Sequence, residues 1–444
     1  MKMAAASDTT RQFVSWVRNA APYIHAFRGR TFVIGFGGEV VANRATAHAF
    51  AHDCNLLLAL GIRLVLVHGA RPQIEEELKR RKLKPVYHRG LRVTDAEALE
   101  CVKSAMGVTR IEIEALLSQG LPNTPMAGAW MRVTGGNFIT AKPVGVVDGV
   151  DYQFTGAVRK VIAEEISADL DQQNVVLISP LGVSPAGEIF NLSMEEVTEA
   201  VAISLQAEKL IFLCDVAGVT DARGRLLQAL TADEAQRIVD GKHKLSEDLE
   251  LYLPCAIRAC RSGVGRAHLV SESEDGALLI EFFTREGIGT VVTRDALARI
   301  REATAEDVAA IVGLIAPLEA DGTLVRRGRE LLEKEIERFT VLEHDNVIMG
   351  CAALYPFRDD KAAELACLAV MPEYRRTGYG ERMLQHIEAR AHKAGLRHLF
   401  VLTTRTAHWF IERGFVEKSV DALPRRKREL YNYQRRSKVL VKDV

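Results

Sequence analysis

Residues 365–380 constrain the fold of this chain more than any other stretch. Residues 365–370 form an apolar run of buried-strand length, and Pro372 ends the run because proline cannot donate to a sheet ladder. The motif Arg375-x-x-Gly378-x-Gly380 follows, and the residues after it have helical spacing. Glycines let a ligand approach the backbone, and the free N–H groups of a turn and a helix start bind phosphate. The stretch therefore predicts a strand, a turn and a helix, forming either an ordinary unit with solvated arginines or a phosphate site.

The same stretch resembles the pyrophosphate-binding motif of the GNAT superfamily of acetyl-CoA-dependent acetyltransferases. The match includes Val-x-Pro-x-Tyr-Arg at residues 370–375, before the glycine motif and the helix. The resemblance implies that the strand hydrogen-bonds the pantetheine arm of acetyl-CoA and that the motif holds its pyrophosphate. The implied cofactor-binding residues are Leu368, Ala369, Val370, Arg375, Arg376, Thr377, Gly378, Tyr379 and Gly380.

The composition indicates a globular protein of two or three domains, because 444 residues are too many for one ordinary core. A formal net charge of zero argues against a nucleic-acid binder that relies on bulk charge. The seven cysteines lack CxxC spacing, which suits a reducing compartment and argues against a disulfide framework or a zinc site. We find no apolar run of membrane-spanning length and no signal-peptide core at the start. We therefore expect a cytoplasmic protein with no metal, no membrane and no nucleic-acid partner.

Strands alternate with helical segments through the N-terminal two thirds of the chain. Such strands, apolar on both faces, predict a mostly parallel sheet covered by helices, with ligands at the carboxyl ends of the strands. The clearest of these strands are at 31–35, 63–68, 174–180 and 209–215.

This region resembles the amino-acid kinase family, and acetylglutamate kinase in particular, over about residues 25–293. The similar motifs are His68-Gly-Ala-Arg-Pro-Gln-Ile, Arg92-Val-Thr-Asp, the strand and turn at 209–219 and the segment at 281–290. The resemblance implies the fold of that family.

Three positions depart from the kinase pattern. Gly35 stands where the family has a lysine, Glu195 where it has an aspartate, and Cys255 where it has a second lysine. Phosphoryl transfer relies on positioned cations. We therefore predict a catalytically inactive kinase-like domain, while a working kinase with an accessory acetyltransferase domain remains the alternative that Gly35 argues against.

Some acetylglutamate kinases are inhibited by arginine, and the resemblance implies an arginine site here. The matching residues are Tyr23, His268, Glu281, Gly287 and Gly289. An acidic side chain and turn carbonyls suit a guanidinium and an ammonium group. The alternative is that Glu281 is a charge on a helix surface and that the glycines only make a turn.

An amphipathic helix is predicted at the N-terminus. Its apolar stripe packs either on its own domain or on a neighbouring subunit. The stripe consists of Phe13, Trp16, Val17, Ala20 and Ile24.

A new domain opens near residue 300. Thr304 followed by Asp307 predicts an imperfect capping box, and the later strands and helices follow the order of GNAT domains. The sequence thus predicts an α/β protein in which an amino-acid kinase-like parallel-sheet sandwich precedes a GNAT acetyltransferase domain. The predicted segments are the N-terminal helix (1–28), the kinase-like domain (29–293), a linker (294–299) and the GNAT domain (300–444).

Amide formation from acetyl-CoA requires an amine that loses a proton, a polarised carbonyl and a stabilised thiolate. We predict that Glu364, at the start of the cofactor strand, is the general base, with a solvated strand-end charge as the alternative. Backbone N–H groups of residues 368–370 polarise the carbonyl, and Thr403 donates to the thiolate. Cys367 has no adjacent histidine in sequence, so a packed thiol is favoured over an acetyl-cysteine intermediate.

The combination of a kinase-like domain and a GNAT domain is similar to that of the bacterial N-acetylglutamate synthases, a family of amino-acid acetyltransferases. The resemblance spans nearly the whole chain and implies acetyl transfer to L-glutamate, the first step of arginine biosynthesis, with feedback by L-arginine and a homo-oligomer, expected to be a hexamer. A non-catalytic arginine sensor with a degenerate GNAT module is the other alternative, which the intact glycine motif argues against.

Glutamate has two carboxylates, and two guanidiniums suit them. We favour Arg327 and Arg436 as the carboxylate partners, with Arg326 and Arg435 as the other members of each pair. The basic run Arg425-Arg-Lys-Arg is interpreted as a solvated face. The predicted substrate-binding residues are Arg326, Arg327, Cys367, Phe410, Arg435 and Arg436.

Overall fold

The computed structural model describes residues 8–120, 128, 130–241, 244–284, 286–296, 298–344, 347–375 and 378–444. The chain divides into two compact units, Met1–Ala296 and Leu297–Val444. The helices of the first unit, in chain order, are α1 (Asp8–Phe27), α2 (Gly38–Ala42), α3 (Arg44–Ala59), α4 (Arg71–Arg80), α5 (Ala96–Leu117), α6 (Ala163–Asp171), α7 (Met194–Ser204), α8 (Ala232–Val239), α9 (Glu247–Arg261) and α10 (Ala277–Phe283).

The strands of the first unit form a large central sheet, a smaller sheet and two short hairpins. In chain order they are β1 (Thr31–Phe36), β2 (Arg63–His68), β3 (Val86–His88), β4 (Leu91–Val93), β5 (Val133–Thr134), β6 (Ile139–Pro143), β7 (Val146–Val147), β8 (Val150–Asp151), β9 (Gly156–Val161), β10 (Val175–Ile178), β11 (Leu181–Val183), β12 (Ile189–Asn191), β13 (Lys209–Cys214), β14 (Ala229–Thr231), β15 (Arg266–Ser271) and β16 (Thr290–Thr293).

The central sheet of the described chain has the order β14-β16-β15-β13-β1-β2-β10-β5. Its neighbouring strands are parallel except for the antiparallel pair β15 and β16. The predicted mostly parallel sheet is therefore confirmed, and β1, β2, β10 and β13 are the four strands predicted from sequence.

Two hydrophobic layers cover the faces of this sheet, because successive side chains of a strand point to opposite faces. Val33 of β1 belongs to the layer that includes α7 and α9, whereas Phe32 and Ile34 belong to the layer that includes α3 and α10. All three side chains are fully buried. The α/β sandwich thus follows from strands that are apolar on both faces.

The outer face of α1 does not pack on the described residues of its own unit. Phe13 and Trp16 are 61% and 63% exposed, while Phe27 at the other end contacts Phe282 and Phe283 of α10. Packing on its own domain, one of the two alternatives for the apolar stripe, is therefore wrong for Phe13 and Trp16.

The second unit is built on one sheet with helices packed on its faces. In chain order it contains β17 (Ala298–Glu302), α11 (Val308–Ala320), α12 (Arg329–Lys334), β18 (Phe339–His344), β19 (Val347–Phe357), β20 (Ala362–Val370), α13 (Tyr379–Lys393), β21 (His398–Thr403), α14 (Ala407–Ile411), β22 (Val416–Lys418), α15 (Arg425–Glu429) and β23 (Lys438–Asp443).

The sheet of the second unit has the order β17-β18-β19-β20-β21-β23-β22. Its neighbouring strands are antiparallel except for β20 and β21, which run parallel. Ala298 and Arg299, which the sequence analysis placed in the linker, lie in β17.

A buried ionic cluster fixes the start of the second unit. Asp307 completes the capping box with Thr304 and receives two hydrogen bonds from Arg301, at 2.7 and 2.8 Å. Arg301 also pairs with Glu343 of β18. The Arg301 guanidinium outweighs the effect of burial and lowers the pKa of Asp307 to about 2. Because a charge-assisted, bidentate pair is directional, it orders the chain where the second unit begins.

None of the helices that the structure describes is both long enough and apolar enough to cross a membrane.

Candidate active site

Strands β20 and β21 of the second unit separate part-way along their length and leave an opening between them. The two parallel strands pair only at Ala362–His398, Ala363–Leu399 and Glu364–Phe400. Beyond Glu364, β20 continues to Val370 and pairs on one side only, with β19, while β21 continues to Thr403. The edge of β20 that faces the opening can therefore hydrogen-bond a ligand along its length.

A β-bulge at Cys367 bends β20 at this point. Cys367 has a left-handed backbone with φ of 51°, and the register against β19 shifts between Cys351 and Ala353. Cys367 and Leu368 together oppose the single residue Ala352. A bulge bends a strand and increases its twist, which separates β20 from β21. The strand predicted at residues 365–370 is confirmed by β20, whereas the bulge within it was not predicted.

The N-terminus of α13 lies at the carboxyl end of β20. Gly378 caps the helix with φ of 85°, a left-handed conformation that glycine adopts without strain. A Cβ added to Gly380 would lie 3.3 Å from the Trp409 ring, so a larger residue would crowd this turn. Arg375 is exposed and donates from Nε to the carbonyl of Val370 at 3.3 Å. Arg376 and Thr377, both predicted cofactor-binding residues, lie outside the described residues.

Glu364 lies at the point where the two strands separate. Its side chain is only 10% exposed, and its Oε2 atom lies 2.6 Å from Nζ of Lys427, which is 23% exposed. The alternative of a strand-end charge in water is wrong, because Glu364 is the third residue of β20 and is buried and paired. The contact with Lys427 compensates the burial of the carboxylate, and a carboxylate in this position can accept a proton.

Lys427 corrects the interpretation of the basic run at 425–428. Arg425, Arg426 and Arg428 are exposed, as predicted for a solvated face, but Lys427 points to Glu364. No pattern in the sequence distinguishes this lysine from its neighbours, since its partner lies on a strand far earlier in the chain.

Arg327, Tyr355 and Cys367 form an electrostatically connected group with Glu364. Burial disfavours the Arg327 cation, but Cys367, Tyr355 and Glu364 raise its pKa above the ordinary value. Burial raises the pKa of Cys367 to about 11, although Arg327 opposes this. A protonated thiol is a poor nucleophile, so the geometry supports a packed thiol at Cys367.

Tyr355 was not identified from the sequence. Its hydroxyl donates to Glu335 Oε2 at 2.8 Å, and the Arg327 and Arg338 guanidiniums lie 5.9 and 4.9 Å from its ring centroid. Burial, together with the hydrogen bond to Glu335, raises the pKa of Tyr355. The ring therefore gives the two guanidiniums an aromatic surface next to the opening.

Thr403 ends β21 on the opposite side of the opening. Its hydroxyl oxygen accepts from the backbone N–H of Thr406 at 3.0 Å and lies 2.8 Å from Oγ1 of Thr406. The side chain is buried, and the hydrogen bond from Thr406 N–H fixes the orientation of the oxygen. When the Thr406 hydroxyl is the donor of their shared bond, the Thr403 proton can be donated to another acceptor.

The four candidate substrate arginines differ in their contacts. Arg327 is half-buried, whereas Arg326 and Arg436 are exposed, and Arg436 has a left-handed backbone with φ of 48°. Arg435 donates from Nη2 to the carbonyls of Gly322 and Thr323, at 3.1 and 2.7 Å. Arg435 therefore ties its segment to the loop after α11 in this structure.

Phe410, another predicted substrate-binding residue, is buried in the hydrophobic core of the second unit. Its ring centroid lies 4.9 Å from Trp409 and 5.3 Å from Phe415. These contacts give Phe410 a packing role, and no contact with the opening is seen among the described residues.

The three positions that depart from the kinase pattern, Gly35, Glu195 and Cys255, lie in the first unit. A Cβ added to Gly35 would lie 2.7 Å from Thr198 Oγ1 and 3.0 Å from Met194 Sδ, so the space of a lysine is occupied. Burial raises the pKa of Glu195, and burial also raises the pKa of Cys255, whose Sγ lies 3.2 Å from an Arg258 nitrogen. Gly35 and Cys255 therefore place no cation at the two positions where the kinase pattern has a lysine that neutralises a phosphoryl group.

Four of the predicted arginine-site residues lie together in the first unit. Glu281, only 5% exposed, accepts from Nδ1 of His268 at 2.6 Å and from the backbone N–H groups of Ile288 and Gly289 at 2.8 and 2.9 Å. Gly287 has φ of 62°, and a Cβ there would lie 2.5 Å from the Glu281 carboxylate. The alternative of a solvated helix-surface charge is therefore wrong for Glu281. Tyr23 is half-buried on α1, the helix that contacts α10 through Phe27.

The His268 and Glu281 pair has a defined protonation state. Burial lowers the pKa of His268 to about 4, so its imidazole is neutral and donates from Nδ1 to Glu281. Burial acts to raise the pKa of Glu281, but the hydrogen bonds from His268 and the backbone lower it overall. Within the described part of the chain, Nε2 of His268 is buried and has no hydrogen-bond partner. It is thus an acceptor that lacks a donor.

Comparison with known proteins identifies both units. Residues 30–271 match the model of the amino acid kinase family, and residues 314–415 match the acetyltransferase (GNAT) family. The amino-acid acetyltransferase of Ralstonia nicotianae is 54% identical over 435 residues, which cover 98% of this chain and 96% of that protein. This chain belongs to the amino-acid acetyltransferase family.

Two crystal structures of a relative cover the same range. The N-acetylglutamate synthase from Neisseria gonorrhoeae complexed with coenzyme A and L-arginine has a TM-score of 0.89 at 40% identity, over 97% of this chain and 99% of that chain. The same enzyme complexed with coenzyme A and N-acetyl-glutamate has a TM-score of 0.62 with the same identity and coverage. The predicted kinase-like and GNAT folds are therefore confirmed, and the protein is an acyltransferase that uses acetyl-CoA.

The described residues fit acetyl-CoA in two places. The unpaired edge of β20 suits an extended pantetheine arm, and the α13 N-terminus with Gly378 and Arg375 suits a pyrophosphate. Among the residues that the structure describes, no group of three or more His, Cys, Asp or Glu side chains is arranged to hold a metal ion.

Proposed function

We propose that this protein transfers the acetyl group of acetyl-CoA to the α-amine of L-glutamate, giving N-acetyl-L-glutamate and CoA. The observation that carries the proposal is the buried Glu364 carboxylate at the head of the opening, beside an electrostatically coupled Arg327. A base and a carboxylate-binding cation next to a cofactor strand suit an acidic amino acid. The N-acetyl-glutamate complex of the Neisseria gonorrhoeae relative supports the same substrate.

The residues around the opening have distinct proposed roles in this reaction. Glu364 accepts the proton that the substrate ammonium must lose, either directly or through water. The backbone N–H groups of residues 368–370, next to the bulge, donate to the carbonyl oxygen as negative charge develops on it. The Thr403 hydroxyl donates to the sulfur of the leaving CoA. The amine attacks the carbonyl carbon, and the amide bond remains when the thioester C–S bond breaks. The nitrogen loses its second proton to the leaving CoA thiolate, giving CoA–SH, and Glu364 releases the first proton to solvent.

Substrate recognition is assigned to the arginines beside the opening. We propose that Arg327 and Arg436 each bind one carboxylate of glutamate, with Cys367 contributing from the bulge. Arg326 and Arg435 are the less favoured members of the two pairs, and the contact of Arg435 with the carbonyls of Gly322 and Thr323 is consistent with that order.

The first unit is proposed to be an arginine sensor without phosphoryl transfer of its own. The filled space at Gly35 supports the loss of the kinase reaction. The unpartnered Nε2 of His268 supports a cationic ligand, because a guanidinium supplies the donor that this atom lacks. The reaction is then the first step of arginine biosynthesis in the cytoplasm, with L-arginine as the feedback effector. The exposed Phe13 and Trp16 of α1 support a homo-oligomer, proposed to be a hexamer.

A pair of assays tests this function on the full-length protein. We expect thiol release from acetyl-CoA that depends on L-glutamate and changes when L-arginine is added. We expect no hydrolysis of ATP and no transfer of phosphate to N-acetyl-L-glutamate. Phosphoryl transfer would restore the kinase interpretation, whereas arginine binding without thiol release would indicate a sensor with an inactive GNAT unit.

Replacing Glu281 by alanine is expected to remove the response to arginine and to leave basal acetyl transfer intact. Glu281 is the proposed counter-ion of the effector, and an allosteric effect is a coupling free energy of about 1–3 kcal/mol, or roughly 5–150-fold in affinity. Isothermal calorimetry should show loss of arginine binding, and steady-state assays should show unchanged kcat without arginine.

Two further variants keep this prediction open to contradiction. Glu281→Gln retains an acceptor for the N–H groups of Ile288 and Gly289, so it separates loss of charge from loss of folding. Glu274→Ala, at an exposed glutamate in the same unit, should respond to arginine normally. Normal arginine inhibition in a folded Glu281→Gln protein would place the effector elsewhere.

A further inference from the structure

We propose that Lys427 is a positioning residue for the general base, holding one oxygen of Glu364 so that the other oxygen receives the substrate proton. The proposal rests on the proposed function, since it assumes that Glu364 is the base. It adds a residue that neither the glycine motif nor the candidate substrate arginines include. Lys427 neither gives nor takes a proton in the proposed reaction.

The position of Lys427 is fixed by the packing of its short helix. Leu423, four residues before Lys427, is buried in a cluster with Ala362 and Phe400. Phe400 is the partner of Glu364 in the sheet, and Ala362 lies two residues before Glu364 on the same strand. The backbone N–H of Lys427 donates to the carbonyl of Pro424 at 2.9 Å. The base of the lysine side chain is therefore held by the same core that holds the strand of Glu364.

The ion pair leaves one carboxylate oxygen for the chemistry. Nζ of Lys427 lies 2.6 Å from Oε2 of Glu364, and this pair is the polar contact that the described residues give that carboxylate. A carboxylate held at one oxygen has fewer side-chain orientations, so Oε1 keeps a defined direction.

Other charged or titratable groups face this site, and they do not replace Lys427. They are Arg327 before α12, Tyr355 on β19 and Cys367 on β20. Burial raises the pKa values of Tyr355 and Cys367, so both are neutral at physiological pH. Arg327 remains a cation, but it is the proposed partner of a substrate carboxylate and is engaged once glutamate binds.

Replacing Lys427 by methionine is expected to lower kcat by about 10²-fold, the scale of a misplaced catalytic group. The KM for acetyl-CoA should stay unchanged. The acid limb of the kcat profile should change, because the proposed base loses the cation that lies 2.6 Å from its Oε2 atom. Lys427→Arg keeps the charge and should recover part of kcat and restore the acid limb.

A second lysine–glutamate pair in the same unit provides a matched control. Lys442 lies 2.6 Å from Glu388, with side chains that are 26% and 20% exposed, so the pair resembles that of Lys427 in length and burial. Lys442→Met should leave kcat and the pH profile of the enzyme unchanged. If Lys427→Met and Lys442→Met lose the same activity without a change in pH profile, Lys427 is only structural and the proposal is wrong.

A double variant distinguishes failure of this proposal from failure of the proposed function. If Lys427 acts through Glu364, adding Lys427→Met to Glu364→Gln should cause no further loss of kcat. An additive loss would show that Lys427 acts independently and would overturn the positioning role while leaving Glu364 as the base. A fully active Glu364→Gln enzyme would instead overturn the base itself. Thermal unfolding of each variant identifies any that fail to fold. The double variant removes both charges of the Lys427–Glu364 pair, so it leaves no unpaired charge in the site.

Discussion

Glu364→Gln is expected to lower kcat by roughly 10²–10⁴-fold with little change in the KM for acetyl-CoA. This range is the usual contribution of a general base, and glutamine has the same shape but accepts no proton at neutral pH. The amide oxygen can still accept from Lys427, so the ion-pair geometry of the site is largely kept. Pre-steady-state measurement of thiol release at neutral and alkaline pH is the direct test.

The pH dependence sharpens this test. The α-ammonium of glutamate loses its proton near or above about pH 8, so alkaline solution supplies free amine without a base. The deficit of Glu364→Gln should therefore shrink as the pH rises. Glu388→Gln removes a half-buried carboxylate that is also paired with a lysine, and it should retain full activity. Unchanged turnover of Glu364→Gln at pH 7 would exclude the base role.

The sheets of both units could be predicted because burial dictates their sequence. Strands such as β1 and β13 are apolar at consecutive positions, which only a sheet covered on both faces accommodates. The strand, turn and helix that end at α13 were equally clear, since Pro372 and Gly378 have backbone requirements that other residues meet poorly. These elements could be predicted because they depend mainly on residues that are close together in the sequence.

The bulge at Cys367 could not be predicted, because an apolar run does not show how its residues pair with the neighbouring strand β19. Cys367 adopts a left-handed backbone that a non-glycine residue rarely adopts, and the pairing of β19 with β20 imposes it. The separation of β20 from β21 depends on this non-local constraint.

The partners of the predicted residues were also hidden from sequence reasoning. Glu364 was identified from its place at the cofactor strand, but Lys427 sits in a basic run that reads as a solvated face. Tyr355, which lies beside Arg327, reads as an ordinary strand residue. Such contacts follow from packing between distant segments, and a single sequence does not contain that information.

Substitution of Arg327 or Arg436 by alanine is expected to raise the KM for glutamate far more than that for acetyl-CoA. Loss of one charge-assisted pair with a carboxylate costs about 2–5 kcal/mol, which corresponds to roughly 30-fold to several-thousand-fold in affinity. Arg327 should show the larger effect, because it is half-buried whereas Arg436 is exposed. Water weakens an ion pair at an exposed arginine more than one at a half-buried arginine.

The neighbouring arginines supply the controls that make this prediction specific. The Arg338 guanidinium also lies 4.9 Å from the Tyr355 ring centroid and pairs with Glu335. Arg338→Ala therefore removes a similar guanidinium that is not proposed to bind the substrate. Its KM for glutamate should stay near that of the unchanged enzyme. Arg435→Ala should lower the stability of the protein, because Arg435 donates to backbone carbonyls.

Assays with glutamine in place of glutamate show which arginine binds which carboxylate. Glutamine lacks the side-chain carboxylate, so the variant that has lost the partner of that carboxylate should discriminate least between glutamate and glutamine. If Arg327→Ala and Arg436→Ala weaken only acetyl-CoA binding, both arginines belong to the cofactor site and the acceptor is bound elsewhere.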